Sequence, residues 1–183
     1  SRVLTARLLL EKVKEQNVPL EAFISASGIG YYGAVTSEHI YAETDIRGSD
    51  FVAECCVQWE NAADQFEPIC RVVKLRTGIV LDKNGGAVEK IADTIKKGIG
   101  APIGSGKQYM PWIHVEDMVG IYYETLMNKQ FSGVYNAVSS QHANNIEFTE
   151  ALAKSLGKKL WLPKVPSFVI KLMFGEMAAI VLE

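Results

Sequence analysis

Apolar residues recur at helical spacing from Arg2 to Val13, through Val3, Leu4, Leu8, Leu9 and Val13, and predict an opening amphipathic helix. The pattern then tightens. "PLEAFISAS" has the make-up of a buried strand, and its Ser25 and Ser27 alternate with Ile24 and Ala26, so both hydroxyls leave it on one side. A Gly-Tyr-Tyr-Gly turn and the polar loop "AVTSEHIYAETDIRGSD" follow, where Ser49 or Asp50 can cap the helix "FVAECCVQWENAADQF". "ICRVVKLRTGIVL" reads as a second buried strand, rich in β-branched residues, in which Thr77-Gly78 marks a bend or a close approach by another group. "GGAVEKIADTIKKGI" predicts a helix entered through Gly85 and Gly86. Next come a Gly-rich loop, a short strand around Trp112 to Val115 and a helix from near Glu116. "SGVYNAV" is a short strand, "NIEFTEALAKSLG" a helix and "KLWLP" a last strand, before the apolar stretch "VPSFVIKLMFGEMAAIVLE".

Strands separated by helices imply an α/β fold with a parallel sheet and helices on its faces. Ligands of such sheets sit beyond the carboxyl ends of the strands, where Ser27 and the Thr77-Gly78 pair fall. No internal repeat or low-complexity tract interrupts the chain. A soft boundary lies near residue 140, where "SSQHANN" turns polar, and divides residues 1–140 from 141–183.

Composition narrows the function classes. The 183 residues are 48% hydrophobic and 22% charged, with a net charge of −2 and dispersed Lys and Arg, which sets nucleic-acid binding aside. Cys55, Cys56 and Cys70 have no metal-ligand spacing, no metal is expected, and a reduced, cytoplasmic setting fits them. The opening segment reads as a helix and not a cleavable signal. Lys171 and Glu176 interrupt the final apolar stretch, which is expected to be a core or lid helix, with no membrane partner. The chain opens inside a helix without an initiator Met, as a piece cut from something longer would.

Single motifs are weak. "GIGYYG" leads into a loop instead of a helix, and "GIGAPIGSGKQ" lacks the Walker spacing, so neither makes a good phosphate cradle. His114, between Ile113 and Val115, reads as a partly buried structural histidine, with Asp117 or Glu116 capping the next helix. The Cys55/Cys56 pair reads as packing. Ser25 and Ser27 lack the nucleophile-elbow pattern.

In order, however, "FISASGIGYYG", a helix ending in "WENAA", "RVVKLRTGIVL", "MPWIHVEDMVGIYYETL" and "GVYNAV" resemble the extended short-chain dehydrogenase/reductase superfamily, and within it the NAD-dependent epimerase/dehydratase-like branch once named for cell-division inhibition. The resemblance spans the whole chain. It implies the C-terminal part of a Rossmann-like doubly wound sheet over residues 1–140, with a small, mostly helical substrate or lid segment over 141–183. It implies NADP or NAD as cofactor. Ser27, with Tyr31 or Tyr32, takes the catalytic place; Ser25, Ala26, Arg76, Thr77, Gly78 and Ile79 take cofactor contacts; Trp112 lines the substrate side.

Two departures qualify that picture. The glycine fingerprint of the family's N-terminal half is absent from these residues, so strands are missing and an apolar sheet edge is expected to be covered by that half or by a second copy. The family's Tyr-x-x-x-Lys pair is also absent: the aligned helix offers Phe51 with Cys55 or Val52 with Cys56, and neither supplies a phenol or an ammonium. Losing such a group costs typically ~10²–10⁴ in rate. An atypical NAD(P)(H)-dependent oxidoreductase or epimerase, and a non-catalytic nucleotide-binding regulator, are therefore both carried forward, with the small-molecule substrate unassigned.

Overall fold

The computed structural model describes residues 2–83, 85–178 and 182. Its elements run α1 (Arg2–Glu15), β1 (Ala22–Gly28), a 3-10 turn (Ile29–Tyr32), α2 (Phe51–Asp64), β2 (Arg71–Thr77), β3 (Ile79–Leu81), α3 (Gly86–Lys96), β4 (Trp112–His114), α4 (Val115–Met127), β5 (Gly133–Ala137), α5 (Asn145–Ser155), α6 (Ser167–Phe174) and a closing 3-10 turn (Gly175–Ala178). They form two compact units. The first holds Ser1–Gly33, Tyr41–Thr77 and Glu116–Ala137; the second holds Ala34–Ile40, Gly78–Val115 and Val138–Glu183.

In the first unit β1, β2 and β5 make a parallel sheet in the order β1-β2-β5, with Ser27 opposite Arg76 and Arg76 opposite Asn136. All three strands therefore deliver a polar residue to the same end. On α2, Ala53, Cys56, Glu60 and Ala63 are buried, a helical stripe facing inward. Asp50 caps this helix by accepting from the Ala53 amide. The core beneath it joins Ala63, Phe66 and Val72 to Leu10, Leu20 and Phe23, with the Phe23 and Phe66 rings stacked at 3.9 Å. β1 was expected to be buried, yet among its residues only Ser27 is, because β1 is the edge strand of this sheet. Leu4, Leu8 and Leu9 of α1 are exposed as well.

The second unit pairs β3 with β4 in parallel and adds α3, α5 and α6. The apolar run expected as one strand is thus split between two sheets at Gly78. A Cβ there would lie 2.6 Å from the Pro111 carbonyl oxygen, and the Ile79 amide donates to that same oxygen at 2.7 Å. Asn144 and Glu147 form a reciprocal capping box at the start of α5.

Three further expectations need correction. "KLWLP" is not a strand: Pro163 and Pro166 have no N–H to give to a ladder, and only the neighbouring Val165 pairs, in a single bridge to Ile103. His114 is exposed, because β4 turns Ile113 inward and its neighbour outward. The last apolar stretch is not one helix: α6 ends at Gly175, where φ is +57°, and it buries Ile170 while exposing Phe168 and Leu172. Residues 179–181 and 183 of that stretch lie outside the described residues. No helix among the described residues is long and apolar enough to cross a membrane.

Candidate functional site

The first unit's strands end in a connected polar network. Glu60 sits on the inward stripe of α2, where a carboxylate must find partners to be tolerated. Arg76 supplies them from β2, with Nε donating to Oε1 at 2.9 Å and Nη2 to Oε2 at 3.0 Å. Ser27 of β1 donates its hydroxyl to the same Oε1 at 2.8 Å. All three residues are buried. Burial works against the Arg76 charge, but its hydrogen bonds to Glu60 and Tyr32 outweigh this and hold the guanidinium above its ordinary pKa.

Arg76 also reaches outward. Its Nη1 donates to the Tyr32 hydroxyl at 3.0 Å and to the Glu43 carbonyl at 3.2 Å, and its guanidinium lies 3.3 Å from the centre of the Tyr31 ring. The buried Tyr32 hydroxyl has Asn136 Oδ1 at 2.7 Å and the Ala42 carbonyl at 3.0 Å as acceptors for its one hydrogen. Asn136 donates from Nδ2 to the Tyr41 carbonyl and from its amide to Glu43 Oε1. The segment 41–43 is consequently tied across the carboxyl ends of β2 and β5.

The predicted site residues separate accordingly. Ser27, Tyr31, Tyr32 and Arg76 come together in this network. The Ser27 hydroxyl donates to Glu60 and lies beside the Cys56 thiol, so toward a ligand its oxygen is placed to accept from a hydroxyl or amide. Tyr32 is a buried hub, whereas the half-buried Tyr31 makes no hydrogen bond through its hydroxyl among the described residues. Ser25 is half-buried; Ala26 is exposed and its carbonyl accepts from Arg2 Nη1 at 3.4 Å. Thr77 closes β2 with its hydroxyl donating to the Leu75 carbonyl. Gly78, Ile79 and Trp112 belong to the second unit, where Ile79 pairs with Trp112 and the Trp112 carbonyl accepts from the Ser139 amide.

On α2, where the resemblance puts the absent tyrosine and lysine, Cys56 stands against the end of β1 and Val52 against the turn that follows it. A Cβ on Gly30 would lie 2.5 Å from Val52 Cγ1, and one on Gly28 would lie 3.6 Å from Cys56 Sγ. The glycines of "GIGYYG" thus let the turn pack against α2. Burial pushes the Cys56 thiol up from its ordinary pKa, with nearby Glu60 adding to the effect against the Gly28 amide and Ser27. Phe51, the alternative register, is exposed. Among the described residues, no three His, Cys, Asp or Glu side chains gather as a metal site.

Sequence reasoning missed Glu60 and Asn136. The signal for Glu60 was available: it falls three to four residues from Cys56 and Ala63 on an otherwise apolar face, and a carboxylate there announces a buried cation. Asn136 carried no such sign, since its role depends on the loop around Tyr41.

No protein-family model matches the chain. It is 39% identical to the chloroplastic epimerase family protein SDR39U1 homolog of Arabidopsis thaliana over 91% of its own length and 49% of that protein's. The crystal structure of human epimerase family protein SDR39U1 with NADPH superposes with a TM-score of 0.92 at 34% identity, covering 100% of this chain and 62% of that one. A nucleoside-diphosphate sugar epimerase from Corynebacterium glutamicum gives 0.77 at 31% identity, covering 99% and 41%. The chain therefore spans between about half and about three fifths of the length of the SDR39U1 relatives it matches. By sequence and by fold it belongs with the epimerase-like extended short-chain dehydrogenases/reductases.

Proposed function

We propose that this chain is the nicotinamide- and substrate-side portion of an atypical NADP(H)- or NAD(H)-dependent oxidoreductase or epimerase. The observation that carries the reading is the Ser27–Glu60–Arg76 network, which brings a hydroxyl and two tyrosines to the strand ends where ligands of parallel sheets bind. The human relative crystallised with NADPH supports the cofactor class, and the Corynebacterium relative supports a nucleoside-diphosphate sugar as the first substrate class to screen.

The cofactor, when bound, accepts or delivers a hydride; the chain's own residues orient the reacting carbon and handle the proton. Ser27 Oγ accepts a hydrogen bond from a substrate hydroxyl. Tyr31, with its hydroxyl uncommitted and a guanidinium against its ring, is better placed than Tyr32 to move the proton. Ser25, Ala26, Thr77, Gly78 and Ile79 are assigned to the cofactor and Trp112 to the substrate on the resemblance alone. The exposed side of β1 offers its edge to a further strand, from the remaining length that the relatives carry or from a second copy.

A second reading, a nucleotide-binding protein without catalysis, is favoured by α2, where either register of the resemblance, Phe51 with Cys55 or Val52 with Cys56, lacks a phenol and an ammonium. Fluorescence titration of NADPH and NADH into this chain, and into the form extended to the length of its relatives, tests the shared premise. Binding by the extended form followed by turnover in a sugar-nucleotide screen supports the enzyme. Binding without turnover supports the second reading, and no binding by either form removes both.

A further inference from the structure

The surface of the second unit carries a feature that the nucleotide site does not use. Between Glu150 and Glu176 the sequence has no acidic residue and five lysines, Lys154, Lys158, Lys159, Lys164 and Lys171, in a chain whose net charge is −2. All five are exposed, and none makes an ion pair among the described residues. Large apolar side chains are interleaved with them: Trp161 is 79% exposed, Phe168 70% and Leu172 86%. On α6, Phe168, Lys171 and Leu172 share one face by their spacing, while Ile170 is buried on the other. The segment is held from behind, where Val165 exchanges backbone bonds with Pro102 and Gly104 and Lys164 donates to the Ser105 carbonyl.

Lysines without ion pairs are well hydrated by themselves, but large apolar groups facing water beside them mark an interaction site. Charge decides the partner's sign, which is negative. The mixture decides its kind. An anionic lipid surface takes both at once, phosphate and carboxylate headgroups meeting the lysines while Trp and Phe settle at the boundary of headgroup and acyl chain. A purely acidic segment would use the lysines and leave Trp161, Phe168 and Leu172 in water.

We infer that residues 158–172 form a peripheral docking surface for anionic lipid bilayers. The expectation of no membrane partner came from the absence of a spanning segment; this mode of contact needs none. The inference is independent of the proposed nucleotide chemistry.

The test is co-sedimentation of this chain, and of the form extended to the relatives' length, with vesicles of phosphatidylcholine alone or mixed with phosphatidylserine. Both forms are expected to pellet with the mixed vesicles only and to be released by high salt. Lys158→Ala with Lys159→Ala should lower the partition coefficient about fivefold per lysine. Trp161→Ala with Phe168→Ala, both at exposed positions, should lower it further while circular dichroism stays unchanged. Equal binding to both vesicle types, no binding to either, indifference to these substitutions, or co-migration with polyglutamate in preference to vesicles would each overturn the proposal. So would binding by the short form alone, which would mean that the rest of the protein covers the patch.

Discussion

Arg76 and Glu60 meet side-on inside the first unit, Nε to Oε1 at 2.9 Å and Nη2 to Oε2 at 3.0 Å, with Ser27 donating to the nearer oxygen. Forming such a pair gains little net stability, because two charges lose their water, but breaking it leaves one of them buried alone. Arg76→Ala and Glu60→Ala are each expected to destabilise the fold by about 3–5 kcal/mol. Glu60→Gln should cost less, since its amide oxygen still accepts from Ser27. Urea unfolding of the four proteins measures this; a loss below about 1 kcal/mol in either alanine variant would show that water replaces the missing partner.

The two adjacent tyrosines should behave oppositely. Tyr32 joins Arg76, Asn136 and the Ala42 carbonyl through one hydroxyl, so Tyr32→Phe leaves buried polar groups unmatched and is expected to cost about 1–3 kcal/mol. Tyr31→Phe removes a hydroxyl with no hydrogen bond among the described residues and should change stability by less than about 0.5 kcal/mol. In the extended form, with a substrate in hand, Tyr31→Phe should instead lower turnover, by about 10²-fold or more if that phenol moves the proton. Thermal melts and steady-state rates on the same pair separate the two roles.

This contrast also marks how far the sequence could be read. Alternation at Ser25 and Ser27 and the β-branched run through Thr77 suffice to place strand ends, because period and composition are local properties. Which hydroxyl is committed, and to what, depends on partners remote in the chain: Glu60 lies 33 residues from Ser27, and Asn136 lies 104 from Tyr32. Burial of β1 was misjudged for a related reason. An apolar strand looks alike whether it is central or at an edge, and the β1-β2-β5 order is set by pairing and not by β1 itself. "KLWLP" shows the reverse error, where β-prone residues between prolines lack the donors for a ladder.

Gly78 is the joint at which one apolar run passes from the first unit's sheet to the second unit's pair of strands. An added methyl would meet the Pro111 carbonyl oxygen at 2.6 Å and Val138 Cγ1 at 2.9 Å, and the first of these is backbone that cannot rotate away. Gly78→Ala is therefore expected to destabilise by about 1–3 kcal/mol. Gly120, on α4, meets nothing within 4 Å, and Gly120→Ala should stabilise slightly through helix propensity. Denaturant midpoints of the two variants should move in opposite directions from the parent.

Cys56 supplies a pH dependence whose sign is fixed by its surroundings. Burial, with Glu60 nearby, raises its pKa, so the folded chain keeps a proton that the unfolded chain gives up. Its contribution to stability is whole below the ordinary thiol pKa, about 8.5, and is lost as pH climbs from there through the higher folded value. Stability measured across that alkaline window should fall less steeply in Cys56→Ala than in the parent, while near neutral pH the variant is the less stable for its lost packing. Mass-spectrometric mapping of brief iodoacetamide treatment near neutral pH should find Cys55 labelled well before Cys56, because the thiolate is the nucleophile and Cys56 is both buried and protonated. Equal labelling of the two would mean that the end of β1 opens to solvent far more readily than the Ser27–Glu60–Arg76 network allows.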